Sequence, residues 1–282
     1  MSGFFYDSEN DNQNFTSIVH GVCPRSLEFL PFNIDNVAVS DCCNGLILCW
    51  CLRANGYCYI VCNLMTQNFK ILLPSTHDVG HAVGEARLGF DPIASLHFHV
   101  IEYVDVDVVC VGVEIYSSQT ATWIYKDSEW GEDTDVTFYR QPSVFLNSCL
   151  HIMGHSGEYP MILVVDMEEN IRRKIDGPSG LQHSMHQALG HLCVCTVGGP
   201  NDSKLSIWIL EDYGIDNWTL KHTVTTWILF ERINIRFGFP DFVDGDIVIT
   251  VHPEWNLIFF AGVDGTIIAY DMDRISACVI PA

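Results

Sequence analysis

Positive charge is scarce in this sequence. Its 282 residues include 14 Lys and Arg against 35 Asp and Glu, which gives a formal net charge of −21. A field of that sign repels phosphate groups, so we expect binding neither to nucleic acid nor to an anionic membrane surface. A basic protein partner remains compatible with this charge, which by itself does not identify one.

Long apolar runs are also missing. No window approaches the roughly 18 apolar residues that a membrane span requires. Residues 1–7 carry no basic region and are not followed by an apolar run, so we expect no signal peptide. No amphipathic stretch of helical period extends beyond about two turns. These absences favour a cytoplasmic or nuclear protein with few helices.

Signatures of catalysis are absent as well. The sequence has no glycine-rich phosphate loop, and neither residues 154–157 nor residues 177–180 have the spacing of a nucleophile elbow. The acidic pairs Glu168-Glu169 and Asp271/Asp273 fall in predicted turns, where such side chains accept hydrogen bonds from the backbone. Asp166 precedes such a turn and is interpreted in the same way. We therefore expect no catalytic residue, no cofactor and no enzyme activity.

Metal-binding spacing is almost absent. Structural zinc sites usually show paired Cys-x2-Cys knuckles, and none occurs here. The histidine pairs considered as ligands are His77 and His81, His97 and His99, and His183 and His186. None lies in the spacing of a helical zinc motif, so we interpret these histidines as surface or hydrogen-bonded groups and expect no metal site.

Cysteine, in contrast, is plentiful, with 12 residues. Most of the cysteines lie within apolar, strand-like runs, namely Cys49, Cys51, Cys58, Cys62, Cys110, Cys193 and Cys195. A buried free thiol behaves as a small hydrophobic group. We interpret these cysteines as reduced core residues of an intracellular protein.

Strand-like segments dominate the rest of the chain. Hydrophobic residues make up 48% and charged residues 17% of the sequence, which is enough apolar material for a large core. Runs of β-branched and aromatic residues, such as residues 98–104, 109–116 and 205–210, alternate with clusters of Gly, Asn, Asp, Ser and Pro. This pattern predicts an all-β protein.

The strand-like segments recur with a loose period of roughly 40–50 residues. Five copies are visible, at residues 39–74, 88–130, 144–178, 188–224 and 246–280. A repeat of this size predicts a single β-propeller-like domain over residues 1–282, made of four-stranded blades, about six in number. N-terminal strands at residues 3–6 and 15–19 are expected to close the ring. The alternative is a pair of β-sandwiches without ring closure.

Tryptophans recur near the predicted blade hairpins. They are Trp123, Trp130, Trp208, Trp218 and Trp255. We expect most of them to pack between blades, while one or two could line a surface that binds a partner, because aromatic side chains dominate interface energetics. The sequence does not indicate which residues bind a partner.

An ordered set of stretches carries a family resemblance. They are DCCNGLILC (41–49), VCNLMT (61–66), RLGFDP (87–92), FHV (98–100), VEIYSS (113–118), VFLN (144–147), IWILEDY (207–213), LKH (220–222), VHPEWNLIFF (251–260) and YDMDR (270–274). Through them the chain resembles the C-terminal associated region of plant F-box proteins, in particular the large set in grasses. The resemblance spans nearly the whole chain in the same order.

This resemblance implies a kelch-like propeller that holds a substrate protein for a cullin-based ubiquitin ligase. Coupling to the ligase depends on a helical F-box that docks on a Skp-type adaptor. No F-box is recognised in this sequence, since Leu30-Pro31 begins no amphipathic helix. We therefore expect a non-catalytic protein-interaction domain that binds adaptor and cullin only with an F-box upstream. The alternatives are a propeller enzyme or sugar-binding protein, and a decayed paralogue.

Overall fold

The β-branched and aromatic runs fold into strands almost throughout. A computed structural model of the chain describes residues 3–7, 13–17, 27–31, 37–53, 56–72, 86–106, 109–127, 130, 134–135, 143–156, 159–167, 172–178, 181–188, 190–197, 204–225, 248–252, 256–261 and 267–280. The chain divides into two compact units. The first unit is residues 20–174, and the other is residues 1–19 together with residues 175–282. No helix among the described residues is long and apolar enough to cross a membrane.

The first unit contains three antiparallel sheets. Blade 1 consists of β3 (Val37–Cys43), β4 (Leu46–Arg53), β5 (Gly56–Asn63) and β6 (Asn68–Leu72). Blade 2 consists of β7 (Arg87–Gly89), β8 (His99–Val106), β9 (Val109–Ser117) and β10 (Thr122–Asp127). Blade 3 consists of β11 (Thr134–Asp135), β12 (Val144–Leu146), β13 (Cys149–Ser156), β14 (Tyr159–Asp166) and β15 (Arg172–Asp176), whose last two residues belong to the other unit.

The other unit contains two further blades and a hairpin. The hairpin consists of β1 (Gly3–Asp7) and β2 (Gln13–Ser17). Blade 4 consists of β16 (Leu181–Ala188), β17 (His191–Val197), β18 (Lys204–Asp212) and β19 (Asn217–Thr225). Blade 5 consists of β20 (Val248–Val251), β21 (Leu257–Ala261), β22 (Ile267–Asp271) and β23 (Ser276–Ile280). A short 3-10 turn at Leu27–Phe29 belongs to the first unit.

The chain is thus an all-β propeller of four-stranded antiparallel blades, as the repeat predicted. Blade 3 has five strands because two short ones, β11 and β12, pair with different parts of β13 and share the position of a first strand. Neighbouring blades meet through their first strands, β3 with β7 and β16 with β20. The first strands of blades 1 and 2 therefore lie side by side, as do those of blades 4 and 5.

The turn between the third and fourth strands has the same design in four blades. Its first residue supplies a side-chain oxygen that accepts a hydrogen bond from the backbone N–H two residues later, and its last residue has a positive φ. The first and last residues are Asn63 and Gln67, Ser117 and Ala121, Asp212 and Asp216, and Asp271 and Ile275. A short polar side chain at the start satisfies the backbone and fixes the turn. The polar turns of the repeat are explained by this geometry.

Packing between blades forms the core. In the first unit one cluster joins blade 1 to blade 2 through residues such as Leu48, Tyr59 and Tyr116, and a second joins blade 2 to blade 3. In the other unit a cluster that includes Leu205 and Tyr270 joins blade 4 to blade 5. In blade 2, alternate residues of the middle strands β8 and β9 enter opposite clusters, because successive side chains of a strand point to opposite faces.

Two details of the predicted ring differ from the structure. The described residues form five blades and not six, and these five match the five repeats of the sequence. β1 pairs with β2, Gly3 opposite Ser17, and neither strand joins blade 5 in the described ladders. Pairing across a short connection costs less chain entropy than pairing with a strand more than 200 residues away in sequence.

Candidate protein-binding surface

The connection between β7 and β8 forms an ordered loop, which we call the apolar loop (residues 90–98). Asp91 organises it, because its Oδ1 accepts a hydrogen bond from the N–H of Ile93 at 2.9 Å and its carbonyl oxygen accepts one from the N–H of Ser95 at 2.9 Å. Ser95 Oγ in turn accepts a hydrogen bond from the N–H of His97 at 3.1 Å. The loop therefore has a defined backbone conformation of its own.

Neighbouring turns hold both ends of the apolar loop. At its start the carbonyl oxygen of Phe90 accepts hydrogen bonds from Asn44 Nδ2 at 2.7 Å and from Cys43 Sγ at 3.2 Å, both in the first turn of blade 1. At its end the N–H of Phe98 donates a hydrogen bond to Ser118 Oγ at 2.8 Å. The carbonyl oxygen of Phe98 accepts one from the N–H of Ser118 at 2.9 Å. The loop is thus fixed to two blades before any partner arrives.

This fixed loop presents two large apolar side chains to solvent. Ile93 is 96% exposed and Leu96 is 84% exposed. Neither contributes to any described core cluster. A single exposed apolar residue is common on protein surfaces, but two on one short ordered loop need a reason. Contact with a protein partner supplies one, because buried apolar anchors carry much of the energy of an interface.

Other exposed apolar side chains lie at the matching edge of their own blades. In an antiparallel blade the turn after the first strand and the turn after the third strand lie at the same edge. In the first unit that edge carries Met65 of blade 1, which is 61% exposed, beside the apolar loop of blade 2. In the other unit it carries Ile215, 74% exposed, and Ile275, 54% exposed. In the first unit, this edge of blades 1 and 2 is the candidate protein-binding surface.

A polar contact ties the inner strands of the first unit together. Asp41 Oδ2 accepts hydrogen bonds from the N–H of Leu88 at 2.8 Å and from Ser143 Oγ at 3.3 Å, while Oδ1 accepts one from the N–H of Cys42. Burial raises the pKa of Asp41, and the nearby Arg87 guanidinium opposes that rise. One carboxylate thereby connects blades 1, 2 and 3.

A second polar contact lies between blades 1 and 2. The hydroxyls of Tyr57 and Tyr59 both donate to Glu102 Oε1, at 2.7 and 2.8 Å. Glu102 lies directly opposite Glu114 in the ladder of β8 and β9, and both are at most 2% exposed. Burial, together with Glu102, raises the pKa of both tyrosines, so their hydroxyls remain donors at neutral pH. Because both hydroxyls of blade 1 bond to a buried carboxylate of blade 2, we assign this cluster to the attachment of the blades.

The predicted core cysteines are buried free thiols where the structure describes them. They are Cys49, Cys51, Cys58, Cys62, Cys193 and Cys195. The side chain of Cys110 lies outside the described residues. Among the described residues, no group of three or more His, Cys, Asp or Glu side chains is arranged to hold a metal ion.

The histidine pairs are not brought together as ligands where they are described. His97 is exposed on the apolar loop, and His186 is buried with its Nε2 2.9 Å from Ser184 Oγ. His77 and His81 lie outside the described residues, as does the side chain of His183. His151 was not among the histidines selected from the sequence. It is fully buried, with its Nδ1 3.1 Å from the carbonyl oxygen of Val144.

The acidic residues of the turns have the role that the sequence predicted, as far as they are described. Asp271 Oδ1 accepts hydrogen bonds from the N–H groups of Asp273 and Arg274, each at 3.0 Å. The Asp273 carboxylate accepts two from Asn256 Nδ2, also at 3.0 Å. These carboxylates therefore have a structural role in stabilising the turn. Asp166 ends β14, and the turn that contains Glu168 and Glu169 lies outside the described residues.

Two of the five tryptophans pack between blades, as expected. Trp123 packs against the cluster of blades 1 and 2, and Trp130 lies in the cluster of blades 2 and 3. Trp208 donates from Nε1 to Thr196 Oγ1 within blade 4, and Trp218 donates to the carbonyl oxygen of Asp176. Trp255 lies outside the described residues. The exposed anchors are thus aliphatic and not aromatic. The signal that could have indicated them was the pair Ile93 and Leu96 inside an Asp-Pro turn.

Comparison with known proteins supports the fold. No protein-family model matches the chain, and no curated protein matches it significantly. Among solved structures, TolB from Acinetobacter baumannii is similar over 84% of this chain and 52% of its own, with a TM-score of 0.50 and 12% identity. A chain of a nidogen/laminin complex is similar over 89% of this chain and 82% of its own, with a TM-score of 0.51 and 8% identity. The chain thus spans about half the length of the TolB chain that it matches.

Identities this low establish only the architecture. The sheets and this likeness together define the chain as a β-propeller.

Proposed function

We propose that this protein is a non-catalytic interaction module that binds a protein partner through the blade edge that carries the apolar loop. The observation that carries the proposal is the exposure of Ile93 and Leu96, 96% and 84%, on a loop whose backbone is already fixed by hydrogen bonds. A loop that is ordered before binding loses little conformational entropy when its exposed side chains contact a partner, so it can act as a preformed anchor.

The proposed partner offers an apolar pocket to this loop. Ile93 and Leu96 are three positions apart and project from the protein. The two side chains of this chain would therefore enter a pocket on the surface of the partner. Met65 extends the apolar contact at the edge of blade 1. Such a partner fits the strongly negative net charge of the chain, since the recognition does not depend on phosphate.

The experiment compares three forms of the protein in affinity capture from cells. The wild type is set beside the double variant Ile93→Asp/Leu96→Asp and beside Ile124→Asp, which changes a 55% exposed isoleucine on the outer strand β10. We expect a protein that is retained by the wild type and by Ile124→Asp but not by the double variant. With that protein purified, the double variant should raise Kd at least tenfold, since each lost anchor costs about 1–2 kcal/mol.

Equal Kd values for all three forms would refute the assignment of this surface. Circular dichroism of the double variant distinguishes lost binding from lost folding, because charges at positions that are already exposed leave the core unchanged.

The finer proposal is that the module selects substrates for a cullin-based ubiquitin ligase, as F-box proteins do. It rests on the ordered sequence stretches that resemble the F-box-associated region. The test uses the purified Skp-type adaptor. Residues 1–282 alone should not retain it, whereas the same residues joined to an upstream F-box should retain it and promote ubiquitylation of the captured partner. Retention of the adaptor by residues 1–282 alone would contradict the dependence on an F-box.

A further inference from the structure

Four cysteines share one face of the β4–β5 hairpin in blade 1. They are Cys49 and Cys51 on β4 and Cys58 and Cys62 on β5, and all are at most 2% exposed. The register places Cys51 directly opposite Cys58, whereas Cys49 lies opposite Ile60 and is therefore diagonal to Cys62. Opposite residues of an antiparallel pair carry their side chains on the same face. The face thus contains one directly opposed pair and one diagonal pair of thiols.

The two pairs of cysteines differ in whether the distance between their Cα atoms allows a disulfide. Directly opposite Cα atoms lie about 4.5 or 5.5 Å apart, depending on their hydrogen bonding, and both values fall within the range that a disulfide spans. Diagonal positions lie about 7–8 Å apart, which a disulfide bridges only if the backbone moves. The neighbouring Cys62 thiol, together with burial, raises the pKa of Cys49.

The opposed pair also lies near the end of the hairpin. Only two pairs of the ladder, Leu52 opposite Tyr57 and Arg53 opposite Gly56, separate it from the connecting turn. Leu52, on the face opposite to the thiols, is 58% exposed, so one face of the hairpin end is open to solvent. Opening of those two pairs brings Cys51 and Cys58 to solvent without disturbing the blade behind them, because hairpin ends open at lower free energy than the core.

We propose that Cys51 and Cys58 are a redox modification site, where a peroxide oxidant joins the two thiols in a disulfide across blade 1. The thiolate of one cysteine attacks a peroxide oxygen, the O–O bond breaks, and a sulfenic acid and one water form. The thiolate of the other attacks that sulfur, the S–O bond breaks, and the disulfide and a second water form. Two thiols lose two electrons in total, and hydrogen peroxide is reduced to two waters.

The test maps the cysteines of the purified full chain after treatment with hydrogen peroxide. Remaining thiols are alkylated under denaturing conditions, and the protein is cleaved with trypsin. Cleavage after Arg53 puts Cys51 and Cys58 on different peptides, so a disulfide joins the two, and fragment spectra assign the sulfurs. We expect the Cys51–Cys58 link, with Cys49 and Cys62 alkylated. Cys193 and Cys195 are neighbours on one strand, β17, and serve as an internal control that stays alkylated.

Two further measurements make the outcome decisive. The link should persist in Cys49→Ser/Cys62→Ser and disappear in Cys51→Ser, and the oxidised wild type should melt about 5 °C higher, because the bond closes an eight-residue loop of the unfolded chain. Alkylation of both Cys51 and Cys58 after peroxide, or a link between Cys49 and Cys62, would overturn the proposal. Both outcomes are read from wild-type protein and do not depend on a variant that folds.

Discussion

Acid should weaken the first unit through one buried imidazole. His151 has no exposed surface, and its Nδ1 lies 3.1 Å from the carbonyl oxygen of Val144, which can only accept. The proton of the neutral ring therefore sits on Nδ1. Burial lowers the pKa of His151 from 6.5 to about 4, against the smaller opposing effects of the Val144 and Cys149 carbonyl groups.

The sign and the size of the effect follow from that pKa. The folded protein binds the extra proton less readily than the unfolded chain, so the stabilisation is complete above pH 6.5 and is lost as the pH falls towards 4. Each pKa unit corresponds to about 1.4 kcal/mol. Between pH 7.5 and pH 4.5 the free energy of unfolding should therefore fall by roughly 2.5 kcal/mol through His151 alone.

Urea denaturation at the two pH values, followed by tryptophan fluorescence, measures this loss. Asn at position 151 places an amide N–H near the former Nδ1 and does not titrate. The difference in unfolding free energy between wild type and His151→Asn should therefore shift by roughly 2.5 kcal/mol in favour of the variant as the pH falls. His191→Asn, at an exposed position of β17, controls for the removal of a histidine as such. If the difference between wild type and His151→Asn were the same at both pH values, the buried neutral histidine would be refuted.

Two further predictions concern the backbone. A Cβ at Gly112 would lie 2.6 Å from the carbonyl oxygen of Lys126, so Gly112→Ala should lower the free energy of unfolding by about 1–3 kcal/mol, measured by urea denaturation; a loss below about 0.5 kcal/mol would contradict this crowding. Asn44→Asp keeps a residue that tolerates the positive φ of 46° but removes the donor to Phe90. Amide exchange should then accelerate in residues 91–97, while Asn147→Asp, at φ 53° in the first turn of blade 3, should leave it unchanged; equal exchange in both variants would count against the anchoring role.

The repeat could be read from the sequence because local rules agree with the fold in each blade. Asn44-Gly45 is the strongest example, since this pair favours positive φ at both positions and the structure has 46° and 85° there. The polar turns followed from the same chemistry. Blade 4 shows where the prediction of strands from local sequence fails. Its first strand, Leu181–Ala188, begins seven residues before the predicted repeat, because the polar segment LQHSMHQA lacks the β-branched residues that usually indicate a strand.

The candidate surface was not predicted, because exposure is a property of the folded chain and the Asp91-Pro92 turn is a weak local signal of it. Ile93 and Leu96 are apolar residues between two strands, and a sequence pattern assigns such residues to the core. Only the hydrogen bonds of Asp91 and Asn44 turn them outward. The same limit applies to Cys51 and Cys58, whose facing positions depend on the register of a hairpin and not on their spacing.

The carboxylate of Asp41 has a consequence for how such a protein can evolve. Each blade is a continuous segment, which would let a gene gain, lose or exchange one blade at a time. Asp41, however, accepts hydrogen bonds from Leu88, 47 residues away, and from Ser143, 102 residues away. Removal of the second blade would leave this partly buried carboxylate without its hydrogen bond from Leu88, at a cost of about 1–3 kcal/mol. Loss or exchange of blade 2 or blade 3 alone is therefore disfavoured relative to a change that keeps blades 1 to 3 together.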